Sequence, residues 1–149
     1  MTEVCLVGKD DVALRGDLLS YETAWAALST YEIHQPFDNS LSVETISLGQ
    51  AVSLLGDLDW YLVRLVDTAL VREPSVSETE WLSRDLARAI RNGEVRAAET
   101  DALLMVYGVE DGRLVEPMYV QRRDGEIPDY DLRDVDRTVV VRVTEAEFG

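Results

Sequence analysis

The chain has 149 residues, of which 46% are hydrophobic, and its 29 Asp and Glu against 14 Lys and Arg give a formal net charge of −15. The hydrophobic share argues against a disordered chain, and the length predicts a single domain over residues 1–149. The negative charge disfavours nucleic-acid binding, because phosphate is repelled. No apolar run approaches the ~20 residues that a membrane-spanning helix needs.

Strand and helix patterns alternate in the first third of the chain. Residues 4–8 predict a central strand, because they are apolar on both faces. Residues 12–18 leave strand and helix open. Residues 20–31 predict a helix that Ser20 caps, and residues 42–46 predict a short strand.

A second short helix and a strong strand candidate come next. Ser47 is the predicted cap of this helix, and Gly56 is its predicted end. Residues 60–66 predict a strand with large apolar side chains on both faces, and residues 69–72 extend that strand or pair back along it.

One amphipathic helix is predicted after this strand. Ser77 and Glu80 form the Ser-x-x-Glu capping-box pattern, and an apolar stripe at helical spacing follows, so we expect a helix over residues 78–92. Its apolar stripe consists of Leu82, Leu86, Ala89 and Ile90.

The C-terminal third reads as strands. Residues 103–109 and 113–120 flank Glu-Asp-Gly, which predicts an antiparallel hairpin, and Pro117 predicts that its second strand lies at an edge or carries a bulge. Residues 122–137 predict a polar loop, and residues 138–143 predict a last strand. We therefore expect an α+β (mixed α/β) fold, with about three helices on a mixed sheet and a C-terminal antiparallel hairpin.

The charged residues have an unusual composition as well as an unusual balance. Lys9 is the only lysine, and the other 13 basic residues are arginines. Dense carboxylates keep a surface soluble at molar salt, where repulsion between them is screened. Lysine enrichment would instead indicate a hyperthermophile. We therefore predict a cytoplasmic protein of a halophilic archaeon, and the alternative is an ordinary acidic cytosolic protein. Its N-terminus carries no positively charged signal-peptide region.

An arginine row is the most informative charged feature. At 100° per residue Arg84, Arg88 and Arg91 fall on one side of the predicted helix, opposite its apolar stripe. One interpretation is a solvated face in which nearby acids neutralise part of the row. The other is a contact face for an acidic protein or other macromolecule. The loop arginines Arg122 and Arg123 extend such a face if the fold brings them to it.

Three aspartates suggest a competing class of function. Asp10 and Asp11 follow the first strand, and Asp67 follows the strand predicted over residues 60–66. If these strands are parallel neighbours, the carboxylates meet at one sheet edge and suit Mg²⁺. This resembles the acidic pocket of response-regulator receiver domains, and the alternative function is a metal-assisted phosphoryl enzyme or receiver-like domain. The receiver pocket also has a lysine on a later strand, and this chain has no candidate for it because Lys9 is its only lysine.

Other chemical motifs are missing from the sequence. His34 and Cys5 are single, so no histidine or zinc cluster is predicted, and Cys5 lies in an apolar run typical of a small buried residue. There is no phosphate-binding glycine loop and no nucleophile elbow, so we expect no cofactor and no catalytic residues. The tryptophans sit in periodic elements, which predicts core packing. They are Trp25, Trp60 and Trp81.

Three stretches resemble a family of small uncharacterised haloarchaeal proteins. They are Leu-Val-Arg-Glu-Pro-Ser-Val-Ser at 70–77, Trp-Leu-Ser-Arg-Asp-Leu-Ala-Arg at 81–88 and Gly-Arg-Leu-Val-Glu-Pro-Met-Tyr at 112–119. The resemblance implies an acidic halophilic protein and carries over no catalytic or binding residue. We therefore predict a non-catalytic interaction or regulatory module that binds another macromolecule through the arginine row.

Overall fold

The computed structural model describes residues 1–128 and 137–148. In these residues a seven-stranded mixed sheet is accompanied by five α-helices, which confirms the predicted α+β class. The strands are Thr2–Gly8 (β1), Ser40–Thr45 (β2), Val66–Arg72 (β3), Trp81–Ser83 (β4), Leu103–Glu110 (β5), Arg113–Gln121 (β6) and Arg137–Arg142 (β7). The helices are Leu14–Leu19 (α1), Glu22–Leu28 (α2), Leu48–Asp57 (α3), Asp59–Leu65 (α4) and Arg84–Arg91 (α5).

The strand order is β2-β1-β3-β4-β7-β5-β6, and among these described strands only the β4–β7 pair is parallel. The predicted hairpin is confirmed as β5 and β6. Asp111 and Gly112 form its two-residue turn with φ of 52° and 78°, the left-handed values that such a turn requires. β6 lies at the sheet edge, and the register shifts near Val106, as Pro117 led us to expect.

The helices cover one face of the sheet. Alternate residues of the β2–β1–β3–β4 half, such as Leu6 and Leu82, pack against buried residues of all five helices, such as Leu55 and Leu62. We call the five helices on this face the helical layer. In the described residues no helix has the length and apolarity required to cross a bilayer.

The opposite face of the sheet encloses a second core. Its largest members are Trp81, Tyr107 and Phe37, which pack with buried residues of β1, β3 and β7. The Asp38 N–H donates to the Gly112 carbonyl at 2.8 Å, although the hairpin is separated from β1 by three strands of the sheet. Neighbouring strands lie ~4.8 Å apart, so this contact requires the sheet to curve around the second core.

One predicted strand was wrong, and one predicted helix was misplaced. Residues 60–66 are mostly helix α4 rather than a strand, and the strand starts at Val66. The helix predicted over residues 78–92 starts only at Arg84, because residues 81–83 form β4 and the Ser83 hydroxyl accepts the Leu86 N–H at 3.2 Å. α1 settles the open assignment of residues 12–18 as helix, so α1 and α4 raise the helix count above three.

Smaller differences concern the helix ends. Ser20 follows α1 and donates to the Asp17 carbonyl at 2.6 Å, so it does not cap α2, which starts at Glu22. Ser47 caps α3 as predicted by accepting the Gln50 N–H at 3.1 Å, and this helix ends at Asp57. Of the polar loop predicted over residues 122–137, residues 129–136 lie outside the described residues.

The connection between β1 and α1 is held by one amide side chain, which positions Lys9. Asn39 Oδ1 accepts the Leu14 N–H at 2.9 Å, and Asn39 Nδ2 donates to the carbonyls of Lys9 and Val12 at 3.1 and 2.8 Å. A Cβ atom on Gly8 would lie 2.7 Å from Asn39 Nδ2, so this close approach requires glycine.

Candidate functional site

The arginine row lies on α5, but its members are in different environments. Arg84 Nη1 contacts Asp59 Oδ1 at 2.7 Å, and Arg84 Nη2 donates to the Leu55 carbonyl at 3.3 Å, so this side chain ties α5 to the α3–α4 junction. Arg88 is half exposed and pairs with Asp85 at 3.2 Å within the helix. The row is therefore partly neutralised within the chain.

Arg91 is exposed at the end of α5. A Cβ atom on Gly49 would lie 2.7 Å from Arg91 Nε, so the guanidinium lies across the first turn of α3. In the part of the chain that the structure describes, no carboxylate lies within ion-pair distance of Arg91. Arg91 and Arg88 are thus the exposed members of the row, and Arg88 is paired with the equally exposed Asp85.

Arg122 does not extend this row. Its guanidinium and that of Arg142 both contact the Glu80 carboxylate, at 2.5 Å from Arg122 Nη2 and 2.8 Å from Arg142 Nε. All three side chains are at least four-fifths buried. Burial opposes ionisation of Glu80, but the hydrogen bonds and charges of the two arginines outweigh it and lower its pKa. This buried triad has a structural role. It explains why Glu80 does not complete a capping box.

The three aspartates do not form the predicted carboxylate pocket. β1 and β3 are antiparallel, and residues 59–65 are helical, so the parallel arrangement that the prediction needed is absent from these two elements. Asp10 instead pairs with Arg113 at 3.2 Å, and Asp11 is exposed. Among residues 1–128 and 137–148 no three His, Cys, Asp or Glu side chains are arranged to hold a metal ion.

Asp67 lines an open cleft of about 240 Å³ between α4, α5 and the C-terminal turn. Its charged and hydroxyl lining also includes Asp85, Glu147 and Ser83. Ser83 Oγ donates to Glu147 Oε1 at 2.6 Å and also caps α5, while the Glu147 carboxylate accepts the Thr144 N–H at 2.9 Å. These contacts hold the C-terminal turn against β4, so the hydroxyl and the carboxylate already have structural partners.

Cys5 is buried, as predicted, and is a free thiol within the described residues. Burial raises its pKa to about 12, and the nearby Glu3 carboxylate adds to this effect. A thiol is nucleophilic only as thiolate, so Cys5 remains an inert part of the second core at neutral pH.

An exposed aromatic cluster is the feature that the sequence did not predict. Tyr21, Trp60 and Tyr61 contact one another with ring centroids 5.0–5.8 Å apart. Trp60 is 50% exposed and Tyr21 is 40% exposed. Trp25, 56% exposed, lies one turn along α2, and its backbone N–H donates to the Tyr21 carbonyl. We call these four residues the aromatic patch.

Two of the three tryptophans are therefore at the surface, contrary to the predicted core role. Only Trp81, which is 5% exposed, packs in the core. The signal that finds the patch is a helical reading of residues 59–65. That reading places Trp60, Val63 and Arg64 on one side of α4 and leaves Leu62 as its buried residue.

The aromatic patch and the arginine row belong to one layer and meet at the Asp59–Arg84 ion pair. Asp59 immediately precedes Trp60 on α4, and Arg84 begins α5. The helical layer thus combines exposed aromatic rings with the positive charge of Arg88 and Arg91. Exposed aromatic residues beside arginine are enriched at protein–protein interfaces.

A family model described as "Family of unknown function (DUF5804)" matches residues 2–109, and the chain belongs to this family. The matched part includes α1 to α5 and hence the aromatic patch and the arginine row. No curated protein and no solved structure matches the chain.

Proposed function

We propose that this member of the DUF5804 family is a non-catalytic interaction module that binds another protein through its helical layer. The observation that carries the proposal is the aromatic patch. Burial of one such ring in a partner removes a large apolar area from water, and tryptophan and tyrosine are over-represented among residues that dominate binding energy. Trp60 and Trp25 are each at least half exposed, so both rings are accessible to a partner.

The arginine row contributes the charged part of this contact face. Arg88 and Arg91 are exposed on a chain of net charge −15, so they favour an acidic partner protein. Arg84 belongs to the scaffold, because its contacts with Asp59 and the Leu55 carbonyl are within the chain. The alternative of a phosphoryl enzyme or receiver-like domain has no such support, since Asp10 is paired with Arg113.

Retention of a partner from a native lysate at molar KCl tests the proposal. We expect Trp60→Ala to reduce retention at least about 30-fold, because truncating a central aromatic residue of an interface costs about 2 kcal/mol or more. We expect Arg88→Glu/Arg91→Glu to reduce retention as well, since the partner is acidic. Quantitative mass spectrometry of the retained proteins provides the measurement.

Matched variants elsewhere on the surface control for non-specific effects. Tyr119→Ala removes an aromatic side chain that is 44% exposed on β6, and Arg96→Glu/Arg123→Glu reverses two exposed arginines outside α5. Both controls are expected to retain the partner. If Trp60→Ala retains the same partner as Tyr119→Ala, the proposal is wrong.

We propose further that the protein works in the salt-rich cytoplasm of a halophilic archaeon. Its charge of −15 destabilises the folded state through self-repulsion, and the Debye length falls from about 10 Å at 0.1 M salt to about 3 Å at 1 M. We expect the urea midpoint of unfolding to rise steadily as KCl increases from 0.1 M to molar concentration. An unchanged midpoint over that range contradicts the halophilic assignment.

A further inference from the structure

Two cations contact α4, the helix that carries Trp60 and Tyr61, and neither has an acidic partner among the residues that the structure describes. Arg64 lies over the Trp60 ring, with Cζ 3.6 Å from the centroid, and its Nη1 donates to the Trp60 carbonyl at 2.8 Å. Lys9 Nζ donates to the Val63 carbonyl at 3.0 Å. Within the described part of the chain, no carboxylate lies within 4.0 Å of either cation, although acids outnumber bases by 29 to 14.

These hydrogen bonds fix the cations without using up their donors. Lys9 contacts a carbonyl in the last turn of α4, and Arg64 is itself in that turn, where positive charge is favourable. A lysine ammonium has three N–H donors and a guanidinium has five, so Lys9 and Arg64 each keep donors for a ligand. The Lys9 backbone is also held, because its N–H donates to the Leu65 carbonyl at 3.0 Å and its carbonyl accepts from Asn39. The two charges are therefore preorganised on α4, the helix that carries Trp60 and Tyr61.

We infer that the aromatic patch binds an acidic segment of a partner protein that carries apolar side chains between its carboxylates. The apolar side chains pack on Trp60 and Tyr21, and the carboxylates accept hydrogen bonds from Lys9 and Arg64. This inference rests on the proposed function and specifies the partner's chemistry at that face. At molar salt long-range attraction is screened, so the charges act only in direct contact and the rings supply the affinity.

The same charges argue against two other occupants. A second copy that bound patch to patch would bring two Lys9 and two Arg64 side chains into one interface, and gathering like charges is unfavourable. A single-stranded nucleic acid also stacks on aromatic rings, but it carries a phosphate at every nucleotide. Two cations neutralise few of these phosphates, and the net charge of −15 repels the remainder.

The test uses fluorescently labelled probes and the full chain, with anisotropy measured at molar KCl. The first probe is a peptide in which glutamates alternate with leucine and phenylalanine. The second has every glutamate replaced by glutamine, and the third is an oligothymidylate of the same length. We expect the glutamate peptide to bind at least tenfold more tightly than either of the other probes.

Variants assign this preference to the two cations. Lys9→Gln/Arg64→Gln keeps groups that can donate to the α4 carbonyls and is expected to weaken binding of the glutamate peptide about tenfold while leaving the glutamine peptide unchanged. Arg96→Gln/Arg123→Gln is the matched control and is expected to have no effect. Circular dichroism establishes that each variant is folded, and if the double variant unfolds, Arg64→Gln alone is used.

Four results would overturn the inference. They are no binding of the glutamate peptide, equal binding of both peptides, tighter binding of oligothymidylate, and sedimentation showing a dimer that Trp60→Ala dissociates. The proposed function fails separately, through retention of the lysate partner by Trp60→Ala. If Trp60→Ala loses that partner while the two peptides bind equally, the module binds a protein but not through acidic side chains.

Discussion

Glu80→Gln is expected to lower the free energy of unfolding by about 3–5 kcal/mol, because breaking a buried ion pair leaves the remaining charge without a partner. Here two guanidiniums would be left. The Arg122 and Arg142 side chains are 11% and 12% exposed, and both contact the Glu80 carboxylate. Urea unfolding at molar KCl measures the loss.

The position of the triad explains why the loss is large. Glu80 immediately precedes β4, Arg122 follows β6, and Arg142 ends β7. Arg142 Nη1 also donates to Thr100 Oγ1 at 3.2 Å, and Arg122 Nη1 donates to the Asp101 carbonyl at 2.9 Å. One carboxylate thus connects segments that are distant in sequence.

The control is Glu94→Gln, which removes an exposed carboxylate after α5 and is expected to change stability by no more than about 0.5 kcal/mol. A loss below about 1 kcal/mol for Glu80→Gln would show that the triad is dispensable.

The pH dependence of stability follows from the same contacts. The pKa of Glu80 is lowered in the folded state from its ordinary value of 4.5, because the arginine contacts outweigh the cost of burial. Its stabilisation is therefore complete above pH 4.5 and is lost as the pH falls through the folded-state value. Glu80→Gln should consequently lose less stability than the wild type on acidification below pH 4.5.

Local chemistry made part of the fold predictable from the sequence. The β5–β6 hairpin was found because Asp111 and Gly112 tolerate the positive φ angles that a two-residue turn imposes. The start of α3 was found because the Ser47 hydroxyl accepts an N–H of the first turn. In both cases the residues that decide the structure are adjacent in the chain.

The elements that were wrong depend on distant contacts. β4 has only three residues, and it is a strand because β3 and β7 flank it. The Ser77–Glu80 pattern was misleading because Arg122 and Arg142 occupy the Glu80 carboxylate. No local propensity encodes these partners, and the two arginines lie 42 and 62 residues from Glu80 in sequence.

In the candidate site, too, features set by neighbouring residues were predictable and features set by distant contacts were not. Exposure of Arg88 and Arg91 followed from helical periodicity, whereas the structural role of Arg84 depends on its ion pair with Asp59, 25 residues earlier. Residues 60–66 were misread as a strand because apolar side chains on both faces were taken to be buried. On α4 only part of this apolar content is buried: Leu62 lies in the core, whereas Trp60 and Val63 are exposed. Local rules fail most often at functional or strained sites, and this failure coincides with the aromatic patch.

Trp81→Ala and Trp60→Ala are expected to separate the structural tryptophan from the binding one. Trp81 is 5% exposed, lies in the second core and is covered by the Arg72 guanidinium, with Cζ 4.5 Å from the ring centroid. Its truncation should cost about 3–5 kcal/mol, as for other buried aromatic residues. Trp60→Ala should cost no more than about 1 kcal/mol, because half of its surface is already in water.

Thermal and urea unfolding of the two variants at molar KCl provide the comparison. The outcome also determines how binding data are interpreted, because a stable Trp60→Ala that loses its partner has lost a contact rather than its fold. If both variants are destabilised equally, the aromatic patch is needed to hold α2 against α4, and its exposure no longer indicates a binding surface. The difference in stability between these two substitutions therefore distinguishes an aromatic patch that stabilises the fold from one that binds a partner.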